Sequence, residues 1–77
     1  MRCYISADIE GVTGIAHWNE ATEGRPGYEI FRSRFENEVS AVCAGAIAGG
    51  AGYLLVQDAH DSARNLNPEA FPLPVTL

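Results

Sequence analysis

The chain has 77 residues, with ten acids against five arginines and no lysine, and a formal net charge of −5. That balance provides no basic patch for nucleic acid or an anionic membrane surface; no apolar run approaches the ~18 residues of a membrane span, and the few between Arg2 and Asp8 are too short for a signal-peptide core. The cytoplasm is the expected location, and a chain this short makes one domain at most, burying only about 60% of its unfolded surface.

The first element is the run Cys3-Tyr4-Ile5-Ser6-Ala7-Asp8-Ile9-Glu10-Gly11. Ile5 and Ala7 alternate with Tyr4 and Ser6, which predicts a buried core strand with carboxylates at its tip. From Gly11 to Gly27 there is no steady period, and Glu23-Gly24-Arg25-Pro26-Gly27 is strong turn chemistry, so a long loop is expected. A helix is predicted from about Tyr28. Ile30, Phe31, Phe35, Val39, Val42, Ala46 and Ile47 form its apolar side, while Arg32, Glu36 and Ser40 share a more exposed one. Pro26 precedes the helix and Gly49-Gly50 ends it. Tyr53-Leu54-Leu55-Val56-Gln57-Asp58 then reads as a second buried strand, completing a βαβ unit. Beyond His60 a surface connection is expected through Pro68, kept extended by Phe71, Pro72 and Pro74, with a third strand starting at Pro74-Val75-Thr76-Leu77. Two parallel strands and one helix are thin for a sheet that normally has both faces covered. Residues 1–77 are therefore expected to be a single partial α/β domain, the N-terminal portion of a larger three-layer one.

If the two strands are parallel neighbours, Asp8 and Glu10 share a sheet edge with Asp58, His60 and Asp61, at the carboxyl ends where open α/β sheets bind ligands. Unpaired carboxylates ask for a cation. Imidazole nitrogen among carboxylate oxygens favours zinc or manganese over magnesium, so Asp8, Glu10 and His60 are the candidate metal ligands. An aspartate at a strand tip can bridge two ions ~3.5 to 4 Å apart. With Asp8 bridging, these three residues fill about half the positions two roughly four-coordinate ions need. Further protein ligands are required, and no histidine follows His60. The alternative at this point is that the acids cap a loop or a helix N-terminus, with His60 an ordinary turn residue. Asp58 or Asp61 is placed to orient the imidazole from behind. His17, beside Trp18, reads as a surface or substrate-facing residue. Gly11 and Gly14 would let backbone approach a ligand, but that pair alone is weak evidence for phosphate binding. Cys3 and Cys43 lack metal-ligand spacing and are expected as free thiols.

Two motifs carry a family resemblance: Tyr4-Ile5-Ser6-Ala7-Asp8-Ile9-Glu10-Gly11-Val12-Thr13-Gly14, and Val56-Gln57-Asp58-Ala59-His60-Asp61-Ser62 with Asn65-Leu66. Together, and at matching intervals, they resemble the N-terminal third of the dinuclear zinc D-aminopeptidase family, of the Bacillus dipeptide-operon type. The resemblance implies an α/β fold and two zinc ions per complete subunit, held in part by Asp8, Glu10 and His60. It also implies release of N-terminal D-amino acids from short peptides and ring-like homo-oligomers. The family's remaining ligands, another histidine and another glutamate, and a histidine thought to act in catalysis come from later in the chain. No catalytic residue is then expected within these 77 residues, nor activity from them alone. The long first loop with His17 and Trp18 departs from the family pattern.

Two other readings compete. A first-strand aspartate with an acid two residues on resembles haloacid-dehalogenase-type, magnesium-dependent phosphatases, although those usually have aspartate where Glu10 stands and leave His60 without a role. The third reading is a non-catalytic metal-binding or assembly fragment.

Overall fold

The computed structural model describes residues 1–71 and 74–77. Pro72, one of the residues expected to keep the chain extended, lies outside them. Strand β1 (Arg2–Ala7), helix α1 (Tyr28–Ala48), strand β2 (Tyr53–Asp58) and the short strand β3 (Val75–Thr76) follow in order. All three strands are parallel, with β2 in the middle. This is the expected βαβ unit of an α/β fold, with its third strand in place.

The helix ends where its glycines permit. Gly50 has φ of 107°, a left-handed conformation open to glycine at little steric cost. The Ala51 amide donates to the Ala46 carbonyl and that of Gly50 to Ile47, both at 3.0 Å, the paired closure of a Schellman turn. At the other end Gly27, with φ of 88°, turns the chain into Tyr28.

The core lies between α1 and one face of the sheet. Tyr28, Phe31, Phe35, Val39 and Cys43, three or four residues apart, form the buried stripe. Ile30 and Val42, expected in the core, are 59% and 54% exposed, and Ile47 is exposed as well. A helix laid on a three-stranded sheet buries a narrower stripe than its apolar content covers. Arg32, Glu36 and Ser40 are half-buried rather than exposed. Arg32 Nη1 donates to the Asn65 carbonyl at 3.4 Å, and Glu36 accepts from the Asn67 amide at 3.0 Å, tying the helix to the segment after β2.

Strand β1 alternates as its sequence does, and β2, expected to be buried, alternates as well. Leu54, Val56 and Asp58 are buried while Tyr53, Leu55 and Gln57 are exposed, and Tyr4 of β1 is exposed beside them. The reason is the single helical layer, which covers one face only. The connection after β2 is less superficial than its composition predicts. Asn65, Leu66 and Phe71 are buried, filling core that one helix cannot reach. Cys3 and Cys43 are free thiols. Among the described residues no helix is long and apolar enough to cross a membrane.

Candidate metal centre

Strand register brings the acids and the histidine together. Ala7 pairs with Asp58, and the Ala59 amide donates to the Ala7 carbonyl at 2.8 Å, so β1 and β2 run out side by side. Past Ala7 the chain tightens into a 3-10 turn, Ile9–Gly11, pinned by the fully buried Ile9. Asp8 and Glu10 flank that anchor, and both stay exposed enough to accept a ligand. Asp8 Oδ1 also accepts from the Glu10 amide, a long 3.4 Å contact and a weak cap compared with what it faces across the sheet edge.

His60 is buried, with 6% of its surface exposed. Its Nδ1 lies 3.1 Å from Asp8 Oδ1 and 2.9 Å from Glu10 Oε1. On the other side, Nε2 is 2.6 Å from the Ala21 carbonyl oxygen and 3.1 Å from Asp61 Oδ2. A carbonyl can only accept, so Nε2 carries a proton, and Nδ1 turns either a second proton or a lone pair toward the two carboxylates. Burial lowers the imidazole pKa, but the Ala21 carbonyl and then Asp61, Asp8 and Glu10 outweigh it, holding His60 above its ordinary value. The arrangement demands positive charge at Nδ1. A divalent cation supplies it as a proton does, with the carbonyl behind the ring fixing the tautomer that ligating histidines need. Asp8, Glu10 and His60 offer three ligand atoms all within 4.8 Å of one another, a donor set of one nitrogen and two oxygens that suits zinc.

Of the two flanking aspartates, only one meets the imidazole. Asp61 touches the ring directly. Asp58 does not: its Oδ2 accepts from the amides of Asn65 at 2.6 Å and Leu66 at 2.8 Å, and its Oδ1 from Asn65 Nδ2 at 3.1 Å. Its reach to His60 is a marginal 3.5 Å contact with the backbone amide. A buried carboxylate with several donors to satisfy thus folds the turn that carries His60. Asn65 Nδ2 also donates to the His60 carbonyl at 2.8 Å, and Asn65 Oδ1 accepts from the Tyr28 hydroxyl at 2.6 Å, so the turn is fastened to α1. Within it Asp61 and Ala63 have φ of 45° and 60°, left-handed values seldom adopted by non-glycine residues and often found at functional sites.

Sequence reasoning missed the Ala21 carbonyl altogether, since a backbone acceptor leaves no mark on residue type. It noted Asn65 only as part of a motif. The largely polar stretch from Asp58 to Asn65 after an apolar strand was the available signal. His17, outside the metal cluster as expected, caps the 3-10 turn Trp18–Ala21 through Nδ1, which accepts from the Asn19 amide at 3.1 Å.

The sequence model of the D-aminopeptidase family, peptidase family M55, matches residues 1–77. The chain belongs to the D-aminopeptidase family. A curated family member, the D-aminopeptidase of Bacillus subtilis, is 32% identical over 69 residues, covering 90% of this chain and 25% of the relative. The solved structure of the Zn-dependent D-aminopeptidase DppA from Bacillus subtilis, described as a self-compartmentalizing protease, superposes with a TM-score of 0.90 at 29% identity, over 97% of this chain and 27% of that one. The α/β fold is therefore the D-aminopeptidase fold in part. The chain spans about a quarter of the length of these relatives, rather less than the third expected. Family membership decides against the phosphatase reading, which had no use for His60.

Proposed function

We propose that residues 1–77 form part of the metal centre of a zinc-dependent aminopeptidase that releases N-terminal D-amino acids from short peptides. The observation that carries this reading is the meeting of Asp8, Glu10 and His60 within 4.8 Å at the carboxyl edge of the sheet. Asp8 at the strand tip, Glu10 and His60 would be the residues of this chain that hold the metal. The rest of a larger three-layer domain supplies the other ligands and the catalytic acid–base group, and it covers the sheet face left open by α1. The self-compartmentalizing character of DppA supports a ring-like homo-oligomer for the complete protein.

Zinc, when bound, lowers the pKa of coordinated water toward neutrality and polarises the scissile carbonyl. The residues of this chain hold the charge balance on which that chemistry depends. Asp8 and Glu10 bring two negative charges. Nδ1 of His60 faces them, and the Ala21 carbonyl keeps the ring proton on Nε2, away from the metal side. Asp58 and Asn65 keep the imidazole in place by holding its turn.

The test is metal content by plasma mass spectrometry on protein purified without added metal, together with hydrolysis of D-alaninamide. About two zinc ions per complete chain are expected, with zinc and activity both lost in His60→Ala and Asp8→Asn. A protein without zinc, or a His60→Ala variant that keeps both zinc and activity, refutes the assignment.

A further inference from the structure

A cavity of about 290 Å³ opens on the flank of the metal cluster, lined by Glu10, Ile15, Ala16, His17, Trp18 and Ala21. It shares Glu10 with the metal cluster, and Ala21 with the back of the His60 ring. Glu10 Oε1 lies 2.9 Å from His60 Nδ1, and the Ala21 carbonyl accepts from His60 Nε2 at 2.6 Å. The other walls are chiefly apolar: Ile15 packs against the core and Trp18 presents its indole with 74% of its surface exposed.

That exposure is imposed by a well-fastened turn. Glu20 Oε1 accepts from the amides of Ala16 at 2.7 Å and His17 at 2.8 Å, while His17 Nδ1 accepts from the Asn19 amide at 3.1 Å, a reciprocal capping arrangement. Thr22 Oγ1 donates to the Trp18 carbonyl at 2.8 Å and closes the turn from behind. A large aromatic side chain is thus held in water at the mouth of an apolar cavity, beside the candidate metal ligands. The cavity is at the small end of ligand pockets, with room for one side chain rather than a whole peptide. Glu10 is committed to the metal side and His17 Nδ1 to its own turn, so a polar substrate side chain would lose hydration for few partners.

We propose that this cavity receives the side chain of the substrate's N-terminal residue, and that Trp18 makes it selective for bulky apolar, above all aromatic, side chains. The inference rests on the peptidase reading and adds substrate preference to it. Trp18 is a specificity residue and takes no part in bond cleavage, so its removal changes which substrate binds and leaves the metal in place. Ala16, exposed at the rim, offers the opposite change: Ala16→Leu fills the cavity without touching Glu10 or Ala21.

The experiment compares D-phenylalaninamide with D-alaninamide in the complete protein, with zinc content and calorimetric binding of D-phenylalaninol as readouts independent of turnover. The wild type is expected to favour D-phenylalaninamide through KM, by about tenfold in kcat/KM, the scale of one aromatic contact. Trp18→Ala should erase that preference and weaken D-phenylalaninol about tenfold, with zinc content unchanged. Ala16→Leu should raise KM for D-phenylalaninamide more than for D-alaninamide. Equal KM values for the two amides in the wild type overturn the proposal. So does a Trp18→Ala variant that slows both amides alike and binds D-phenylalaninol normally; in either case the peptidase reading stands. A zinc-loaded wild type that hydrolyses neither amide refutes the peptidase reading, and the pocket assignment goes with it.

Discussion

Asp58→Asn tests whether the turn that carries His60 is held by a carboxylate. The substitution preserves shape, yet it replaces two acceptor oxygens by one. Asp58 Oδ2 takes two backbone amides at 2.6 and 2.8 Å, so the lower-cost orientation of the new amide keeps its oxygen there. Its NH2 then faces Asn65 Nδ2, which donates to Oδ1 at 3.1 Å in the wild type, and two donors confront each other in a buried place. Losing that charge-assisted bond costs about 1.5 to 3 kcal/mol. The two surviving bonds, now to a neutral acceptor, weaken further. The sum is a destabilisation of about 2 to 4 kcal/mol. Urea unfolding followed by circular dichroism should show a lower midpoint with an unchanged slope. Because the turn positions the imidazole, zinc affinity should fall about tenfold or more although no ligand is altered. A midpoint equivalent to less than about 0.5 kcal/mol of change, with zinc binding intact, would refute the reasoning, since surface substitutions behave that way.

Tyr28→Phe removes the hydroxyl bonded to Asn65 Oδ1 and leaves a buried acceptor unpaired, at a cost of about 1 to 3 kcal/mol. Burial, and then Glu23, push the Tyr28 phenol above its ordinary value of 10.0. A raised folded-state pKa contributes stability that is complete below the unfolded value and is lost as pH climbs through it toward the folded one. The wild type should accordingly lose stability above about pH 10, while Tyr28→Phe lacks that part of the decline; melting temperatures between neutral and alkaline pH measure it, and parallel curves would exclude a role for Tyr28. Leu55→Lys places a charge on the sheet face opposite α1, where Leu55 is partly exposed. With that face covered in the complete protein, a loss of about 2 kcal/mol or more is expected. A melting temperature equal to the wild type's would show the face to be solvated and the partial-domain proposal wrong.

The local periodicities survive comparison with the structure because they are local. Alternation in Tyr4 to Ala7, and glycines at the end of α1, depend on backbone geometry that each segment carries with it. Burial was harder to read. Ile30 and Val42 are as apolar as Phe35 and Val39, yet which side of a helix is covered depends on how many layers lie against it. Strand β2 misled for the same reason, since an apolar residue such as Leu55 marks a face that something must cover without saying what covers it in this chain.

The candidate site divides in the same way. Asp8, Glu10 and His60 were legible as candidate ligands because acids and an imidazole follow two apolar strands, and the parallel register brings them together. The sequence left open whether Asp58 or Asp61 meets the ring; the fold gives Asp58 the backbone of residues 65 and 66, since a buried carboxylate goes where unpaired amides are. The Ala21 carbonyl behind His60 and the cavity under Trp18 come from a loop folding back onto the sheet edge. Residue types alone determined the chemistry this chain can offer, two carboxylates and an imidazole after apolar strands. Only the tertiary structure decided which nitrogen faces the carboxylates, which aspartate holds the turn and where a cavity opens beside Glu10. Those depend on distances between segments far apart in sequence, which no local pattern encodes.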